Sequence, residues 1–295
     1  MAGVRDRLQA LRLRAVDRLS ARLNRVALYR DLRRGVPGVA QLIDAVRSAA
    51  LGGMRLRPVD PQHRFCFRCD LDVPCLNACC TDMQLPLTPY DVLRLRRCLA
   101  LDSETFLAHH ATVDTLPGLG LPLVRLRMDR GQGGRCAFAS ARGCAVYHDR
   151  PGVCRAYPVG RSAYIDERGH TRERHLLHRD TCCRGFSASD GWTVERYLAD
   201  QGLVPYLAPA DRYSTLLSRL SASGLALGEQ QREAALVALY RLDLFGEWME
   251  ERRLLLRMRV KTARRRELRE DEEARLGFAY EWLESLLLNP LSRRG

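Results

Sequence analysis

Apolar residues recur at spacings of three and four through Val4, Leu8, Leu11, Ala15, Leu19, Leu23 and Val26. This pattern predicts one amphipathic helix over residues 1 to about 34, with an arginine-rich opposite face. Gly35, Pro37 and Gly38 break it, and a second short helix near Val39 to Leu51 ends at Gly52-Gly53. From Arg55 to about Asp190 the periodicity becomes irregular, and turn residues and cysteines alternate with short apolar runs. Inside that stretch Thr88-Pro89-Tyr90-Asp91 is a helix start, with Thr88 as N-cap and Pro89 in the first turn. A second short helix is expected from Asp102 or Ser103, a strand over Leu121 to Met128, and a hairpin from Ser162–Asp166 and Arg172–Leu176 around Glu167-Arg168-Gly169. Beyond Gly191 helical periodicity returns. Leu236, Tyr240, Leu244 and Trp248 share one face of a long helix, and Leu276, Tyr280, Leu283 and Leu287 share a face of another. The resulting expectation is an α+β, mainly α fold in three parts: an N-terminal amphipathic helical segment (1–54), a small loop-rich cysteine domain with short strands (55–190), and a C-terminal helical region (191–295).

Composition narrows the class. The 295 residues are 46% hydrophobic and 28% charged, and no run approaches the ~18 apolar residues of a membrane span. The start lacks the apolar core of a signal peptide, so a cytoplasmic, reducing location is expected. Asp6, Asp17 and Asp31 interrupt the basic face of the first helix, which favours a helix docked on the protein body over a transit peptide. Peripheral contact of this helix with an anionic membrane is the lesser alternative. Net charge is +13, yet only Lys261 among 48 basic residues is a lysine. Such arginine preference matches a GC-rich, bacterial genome, so nucleic acid is not the expected partner, and a protein partner stays open. The block Arg264 to Arg275 mixes both signs, as a solvated helix face does, and does not read as a nucleic-acid arm.

The eleven cysteines carry the chemistry, and all lie between Cys66 and Cys183. They form Cys66-x2-Cys69-x5-Cys75-x3-Cys79-Cys80, then Cys136-x7-Cys144-x9-Cys154, then Cys182-Cys183. Cys98 stands apart on the helix begun at Thr88, as a small apolar residue. Without a signal for export, such density reads as thiolate-bound metal: zinc, copper(I) or an iron–sulfur cluster. Adjacent residues have Cα atoms only about 3.8 Å apart, so Cys79 and Cys80 suit two irons, two sites, or one ligand and a neighbour. Asp70 follows Cys69, which excludes a c-type haem motif. The radical S-adenosylmethionine spacing is absent, and the CxxC at Cys66 lacks a thioredoxin context. Gly131-Gln132-Gly133-Gly134 reads as a turn delivering Cys136, not as a nucleotide loop. His63, His170, His175 and His178 leave mixed sulfur and nitrogen ligation open, while His109-His110 reads as structural. No catalytic motif and no cofactor-binding loop can be assigned, and helix capping and packing account for Asp91 and Tyr157.

The stretches RCDLDVPCLNACCTDMQLPLTPYDVLRLRR, CAFASARGCAVYHDRPGVCRAYPVG and CCRGF resemble the zinc- or iron-chelating cysteine-cluster (YkgJ) family, over roughly residues 63 to 190. The wider C-x5-C-x3-CC spacing is similar to that of its flagellin lysine N-methylase branch. The resemblance implies eight metal ligands, Cys69, Cys75, Cys79, Cys80, Cys136, Cys144, Cys154 and Cys183, with Cys66 and Cys182 as outer members of their groups. Eight thiols fit two four-ligand sites, or one cluster beside a second site. Arg150 and Arg155 can offset thiolate charge or simply pair with local carbonyls. Three functions follow as expectations: an iron–sulfur (4Fe–4S) protein of unknown reaction, a zinc-stabilised interaction module, and an enzyme like the lysine N-methylases.

Overall fold

The computed structural model describes residues 55–165, 171–180, 182–187 and 191–288, all within one compact unit spanning Gly53–Gly295. The N-terminal segment 1–54, with both its expected helices, lies outside the described residues, as do His170 and the turn at Glu167-Arg168-Gly169. The fold is α+β and mainly α, with ten α-helices among the described residues.

Strands β1 (Arg55–Val59) and β2 (Arg64–Cys66) lead into the first cysteine loop and then helix α1 (Pro89–Leu99). The start of α1 is a capping box: the Asp91 amide donates to Thr88 Oγ1 at 3.2 Å, and the Thr88 amide donates to Asp91 Oδ2 at 2.8 Å. Helix α2 (Ser103–His110) is capped by Asp102, which accepts from the Thr105 amide at 2.7 Å. Strands β3 (Ala111–Thr115) and β4 (Pro122–Leu126) pair as a hairpin, and Val124 and Leu126 alternate inward as the sequence suggests. Two-residue strands β5 (Met128–Asp129), β6 (Arg135–Cys136), β7 (Ala139–Ser140) and β8 (Gly143–Cys144) carry the second cysteine group, followed by the single-turn helix α3 (Gly152–Ala156). Strands β9 (Val159–Ile165) and β10 (Thr171–Arg179) form the expected hairpin, and β1 adds to the other side of β10. Strand β11 (Gly191–Thr193) pairs with β2, placing Gly191 opposite Cys66.

The helical body follows: α4 (Val194–Asp200), α5 (Val204–Ser223), α6 (Glu229–Tyr240), α7 (Leu242–Glu251), α8 (Leu254–Arg257), α9 (Thr262–Glu270) and α10 (Glu272–Leu288). Leu276, Tyr280, Leu283 and Leu287 are buried on α10 as their spacing predicts. The other expected stripe differs. The chain leaves helical geometry at Arg241 (φ −123°, ψ 59°), so one predicted helix becomes α6 and α7. Ala235, Ala238, Leu239 and the expected Tyr240 are buried before the break and Leu242, Phe245 and Met249 after it, while Leu236, Leu244 and Trp248 are only half-buried. The break accompanies a tertiary bond that periodicity cannot register: Asp243 accepts from the Ser103 amide at 2.8 Å and from its hydroxyl, capping α2 from 140 residues away. The Arg264 to Arg275 block is mostly exposed, except for Leu268 and Arg275. The buried Arg275 guanidinium donates to the carbonyls of Leu268, Leu242 and Arg269 at 2.7 to 2.9 Å. With those bonds, burial of the charge is tolerated.

Candidate metal centre

The first cysteine loop is a series of tight turns. The Ala78 amide donates to the Cys75 carbonyl at 2.9 Å and the Cys80 amide to the Asn77 carbonyl at 3.0 Å, with Asn77 in the left-handed region at φ +62°. The Asn77 side chain then ties this loop to the next: its Nδ2 donates to the Ser140 carbonyl at 2.7 Å, and its Oδ1 lies 3.9 Å from Cys80 Sγ. Sequence reasoning had not singled out Asn77, although an Asn between Cys75 and the Cys79-Cys80 pair is a usual left-handed turn residue.

Cys80 is joined to the second cysteine group through the backbone. The Cys136 amide donates to the Cys80 carbonyl at 2.8 Å, and the Asp82 amide donates to the Gly134 carbonyl at 2.9 Å. Gly134 has φ +79°, and a Cβ there would stand 1.9 Å from Asp82 Oδ1. The glycine turn therefore delivers Cys136 as expected, by letting two chains approach closely. The β7–β8 hairpin sets Cys144 opposite Ala139. Cys154 rides on α3, whose first amide, that of Gly152, donates to Asp91 Oδ1 at 2.7 Å.

On the other side of the first loop lies the third group. The Arg184 amide donates to Cys75 Sγ at 3.0 Å, and the Arg68 amide donates to the Gly185 carbonyl at 3.0 Å. A Cβ on Gly185 would meet the Arg68 carbonyl at 2.5 Å, so glycine is required for this approach. Arg68 and Arg184 thus hold Cys69, Cys75 and Cys183 in one neighbourhood.

The thiols perturb one another within each group, and Cys79 does so across both. Cys69 is solvent-accessible at its edge and packed on its inner side; that packing, with Cys79, Cys183 and Cys75, pushes its pKa up to about 11. Burial raises Cys183 as well, with Cys75 and Cys79 adding to it and Tyr157 opposing. Cys154 is raised by burial, then by Asp91, Cys136, Cys144 and Cys79. Burial raises Cys144; Cys136 adds to this, while the Val146 amide and Arg150 oppose it. Within the adjacent pair, the hydrogen bond between the two thiols lowers the pKa of Cys79 and raises that of Cys80. Cys80 in turn feels Cys136 and Cys154. Cys79 thus acts on thiols of both groups, Cys69 and Cys183 on one side and Cys154 on the other, while Cys80 is bonded to the second group. Among the described residues no three His, Cys, Asp or Glu side chains converge tightly enough to surround a single ion.

The remaining residues sort as follows. Cys66 is exposed on β2 and Cys182 is exposed beside Asp180. Cys98 is exposed near the end of α1, not buried as an apolar residue; burial, slight as it is, and a bond to Asp149 raise its pKa. Arg155 donates to the carbonyls of Arg150, Gln201 and His148, and Arg150 to the Tyr147 carbonyl and Gln201 Oε1. These arginines mainly bind carbonyls, while Arg150 also opposes the rise of Cys144. His175 is buried beside Glu173, and burial lowers its pKa. His178 packs edge-on against Tyr157. The buried Tyr157 hydroxyl faces Cys183, and burial followed by that contact raises its pKa. Asp180, which sequence reasoning passed over, lies near Cys79, Cys182 and Tyr157.

Residues 68–184 match the CxxCxxCC family model, described as a "putative zinc- or iron-chelating domain". The match spans the eight thiols named from the resemblance and begins after Cys66. No curated protein and no solved structure matches the chain. This segment is similar to cysteine domains described as metal-chelating, and among the described residues no helix is long and apolar enough to cross a membrane.

Proposed function

We propose that residues 69–183 hold two neighbouring metal centres, one on Cys69, Cys75, Cys79 and Cys183, the other on Cys80, Cys136, Cys144 and Cys154, and that iron–sulfur clusters occupy them. The observation that carries this reading is the bond from the Cys136 amide to the Cys80 carbonyl, which draws Cys80 to the second group while Cys79 perturbs Cys69. Adjacent cysteines then serve different centres without strain. The donor chemistry fits: four thiolates are the complement of both a four-iron cluster and structural zinc. A bound cluster would supply one-electron transfer.

The chain's own residues have definable tasks. Burial and mutual repulsion make an all-thiolate cavity unfavourable without a cation, so metal must displace protons here. The Arg184 amide, donating to Cys75 Sγ, stabilises negative charge on that sulfur. Asp91, far from the solvent, fixes α3 and with it Cys154. Iron is placed before zinc because the adjacent thiols Cys79 and Cys80 suit the separate irons of polynuclear centres. Zinc is the second reading, favoured by the short Cys75-x3-Cys79 turn, and would make the domain a stapled interaction module. A reducing, cytoplasmic location fits eleven free cysteines.

Metal analysis with an absorption spectrum of anaerobically purified protein tests this. Brown protein with broad absorption near about 400 nm, iron and acid-labile sulfide is expected. Colourless protein with stoichiometric zinc overturns the iron reading, and protein without bound metal after iron- and zinc-replete expression overturns both.

A further inference from the structure

Between Arg252 and Arg266 the chain carries seven arginines and Lys261, and no acid. Two of these cations are engaged: Arg264 pairs with Glu281 at 2.8 Å, and Arg265 donates to the Val260 carbonyl at 2.7 Å. The other six, Arg252, Arg253, Arg257, Arg259, Lys261 and Arg266, are exposed, and among the described residues none has a carboxylate within ion-pair distance. Nearby exposed arginines do have them: Arg97 pairs with Glu272 and Glu273, Arg219 with Glu284 and Arg269 with Glu250.

The fold leaves these charges exposed along one continuous stretch of chain, from the end of α7 into α9. Leu254 and Leu255 anchor α8 in the core, so Arg253 and Arg257, one turn apart, flank its exposed side. Val260 is buried and anchors the next turn, with Arg259 and Lys261 exposed on either side of it. Arg253 and Arg259 have φ of +49° and +52°, a conformation that disfavours any side chain. Like charges a turn apart also repel. Both features work against local stability, and among the described residues no carboxylate offsets them.

We propose that this stretch binds the phosphate backbone of a nucleic acid without sequence selection. Guanidinium forks match phosphate oxygens in pairs, and a row of unpaired cations is the electrostatic footprint such binding needs. Genome composition explains arginine in place of lysine, but not the absence of acids over this run. A membrane surface is disfavoured because Leu256 is the one exposed large apolar side chain here, and Trp248 is half-buried under Arg252 at 4.6 Å. An apolar centre of the kind found in protein interfaces is missing for the same reason. The inference is independent of the metal reading.

Fluorescence anisotropy of the full chain with a labelled 30-nucleotide RNA and a mixed-sequence duplex DNA tests it. Binding to at least one of them is expected, weakening steeply between 50 and 200 mM salt, on the order of tenfold or more. R257E/K261E/R266E should lose at least tenfold in affinity, with unchanged metal content and helical signal. R57E/R196E/R232E, an equal charge change at other exposed arginines, should lose less than threefold. R257Q/K261Q/R266Q repeats the test with a milder change should the reversal variant misfold, and a loss of about threefold or more is expected. Equal losses at both sets, or no binding of either nucleic acid at 50 mM salt, overturn the proposal. So does tighter binding to phosphatidylserine vesicles that depends on the same stretch.

Discussion

The carboxylate of Asp91 joins two separate stretches of chain: its Oδ1 accepts from the Gly152 amide at 2.7 Å while its Oδ2 accepts from the Thr88 amide and hydroxyl. The acid that caps α1 thereby also holds the start of α3, which carries Cys154. Asp91 is 3% exposed, and burial raises its pKa against those bonds and the opposing charge of Arg155. Asp91→Ala would strand three donors in the interior, so a loss of about 3 kcal/mol is expected in thermal or denaturant unfolding. Metal content should fall as well, because α3 loses its anchor. An Ala variant with wild-type stability and full metal would show that the acid is dispensable to both helices.

Which features could be read along the chain, and which could not, follows from how local each one is. The Thr88 to Asp91 start was legible because a capping box is written in four consecutive residues. The β9–β10 hairpin and the turn delivering Cys136 were legible for similar reasons, since alternation and glycine clusters are local signals. The break at Arg241 was not, because residues 229–251 are helix-compatible throughout and the bond from Ser103 to Asp243 comes from a distant helix. Likewise the cysteine groups were visible by spacing, but the division between Cys79 and Cys80 depends on pairing with Cys136, 56 residues on. Exposure of Cys98 was missed because its helix face is set by what packs on α1.

That distant bond has a pH signature. Burial would raise the Asp243 pKa, but the Ser103 hydroxyl and amide, the Leu244 amide and Arg96 outweigh it, and the carboxylate is held below its ordinary range. A folded-state pKa below the unfolded one means that Asp243 stabilises the protein fully above about pH 4, and that this contribution is lost as pH falls through the folded value. Asp243→Asn should therefore be less stable than wild type at pH 7 by on the order of 1 kcal/mol, with the gap closing toward pH 3. Comparing the two proteins at each pH cancels the common effect of acid on metal. A gap that stays constant from pH 7 to 3 would contradict the sign.

Gly185 offers a steric test of the third cysteine group. Alanine there would set its Cβ 2.5 Å from the Arg68 carbonyl and 2.7 Å from the Phe67 ring, and neither can swing away as a flexible side chain would. Gly185→Ala should cost about 2 to 3 kcal/mol and loosen the junction holding Cys183 near Cys75. Hydrogen exchange should quicken at the Arg68 and Arg184 amides. Unchanged exchange at both positions would mean that the two strands do not meet this closely.

Metal removal should unfold the molecule unevenly. The cysteine loops contain only two-residue strands and single turns, whereas α1, α5, α6, α7 and α10 share a core that includes Leu95, Leu216, Leu239, Phe245 and Leu283, each fully buried. Burying each such side chain stabilises the body by roughly 1.5 to 3 kcal/mol without help from metal. Chelation of the full chain should leave most of the helical circular dichroism and raise amide exchange mainly over residues 68–84, 130–146 and 180–187. Collapse of the helical signal in step with metal loss would mean that the centres also hold the body together.

The division of the adjacent cysteines makes the sharpest prediction about metal. Cys79 perturbs Cys69 and Cys183 and also Cys154, whereas Cys80 is perturbed by Cys136 and Cys154, so the proposed division rests on the bond from the Cys136 amide to the Cys80 carbonyl. With two centres, Cys79→Ser should deplete one and Cys80→Ser the other, each leaving roughly half of the metal, because hydroxyl is a poor substitute for thiolate at a soft ion. Pairing by site follows: Cys79→Ser with Cys183→Ser should lose no more metal than either alone, whereas Cys79→Ser with Cys144→Ser should lose nearly all of it. Cys98→Ser, exposed and bonded to Asp149, should keep full metal and cost at most about 1 kcal/mol. Elemental analysis of the six proteins decides the matter. Complete loss of metal in both single variants would mean one shared centre, and retention in both would remove the two residues from the ligand set.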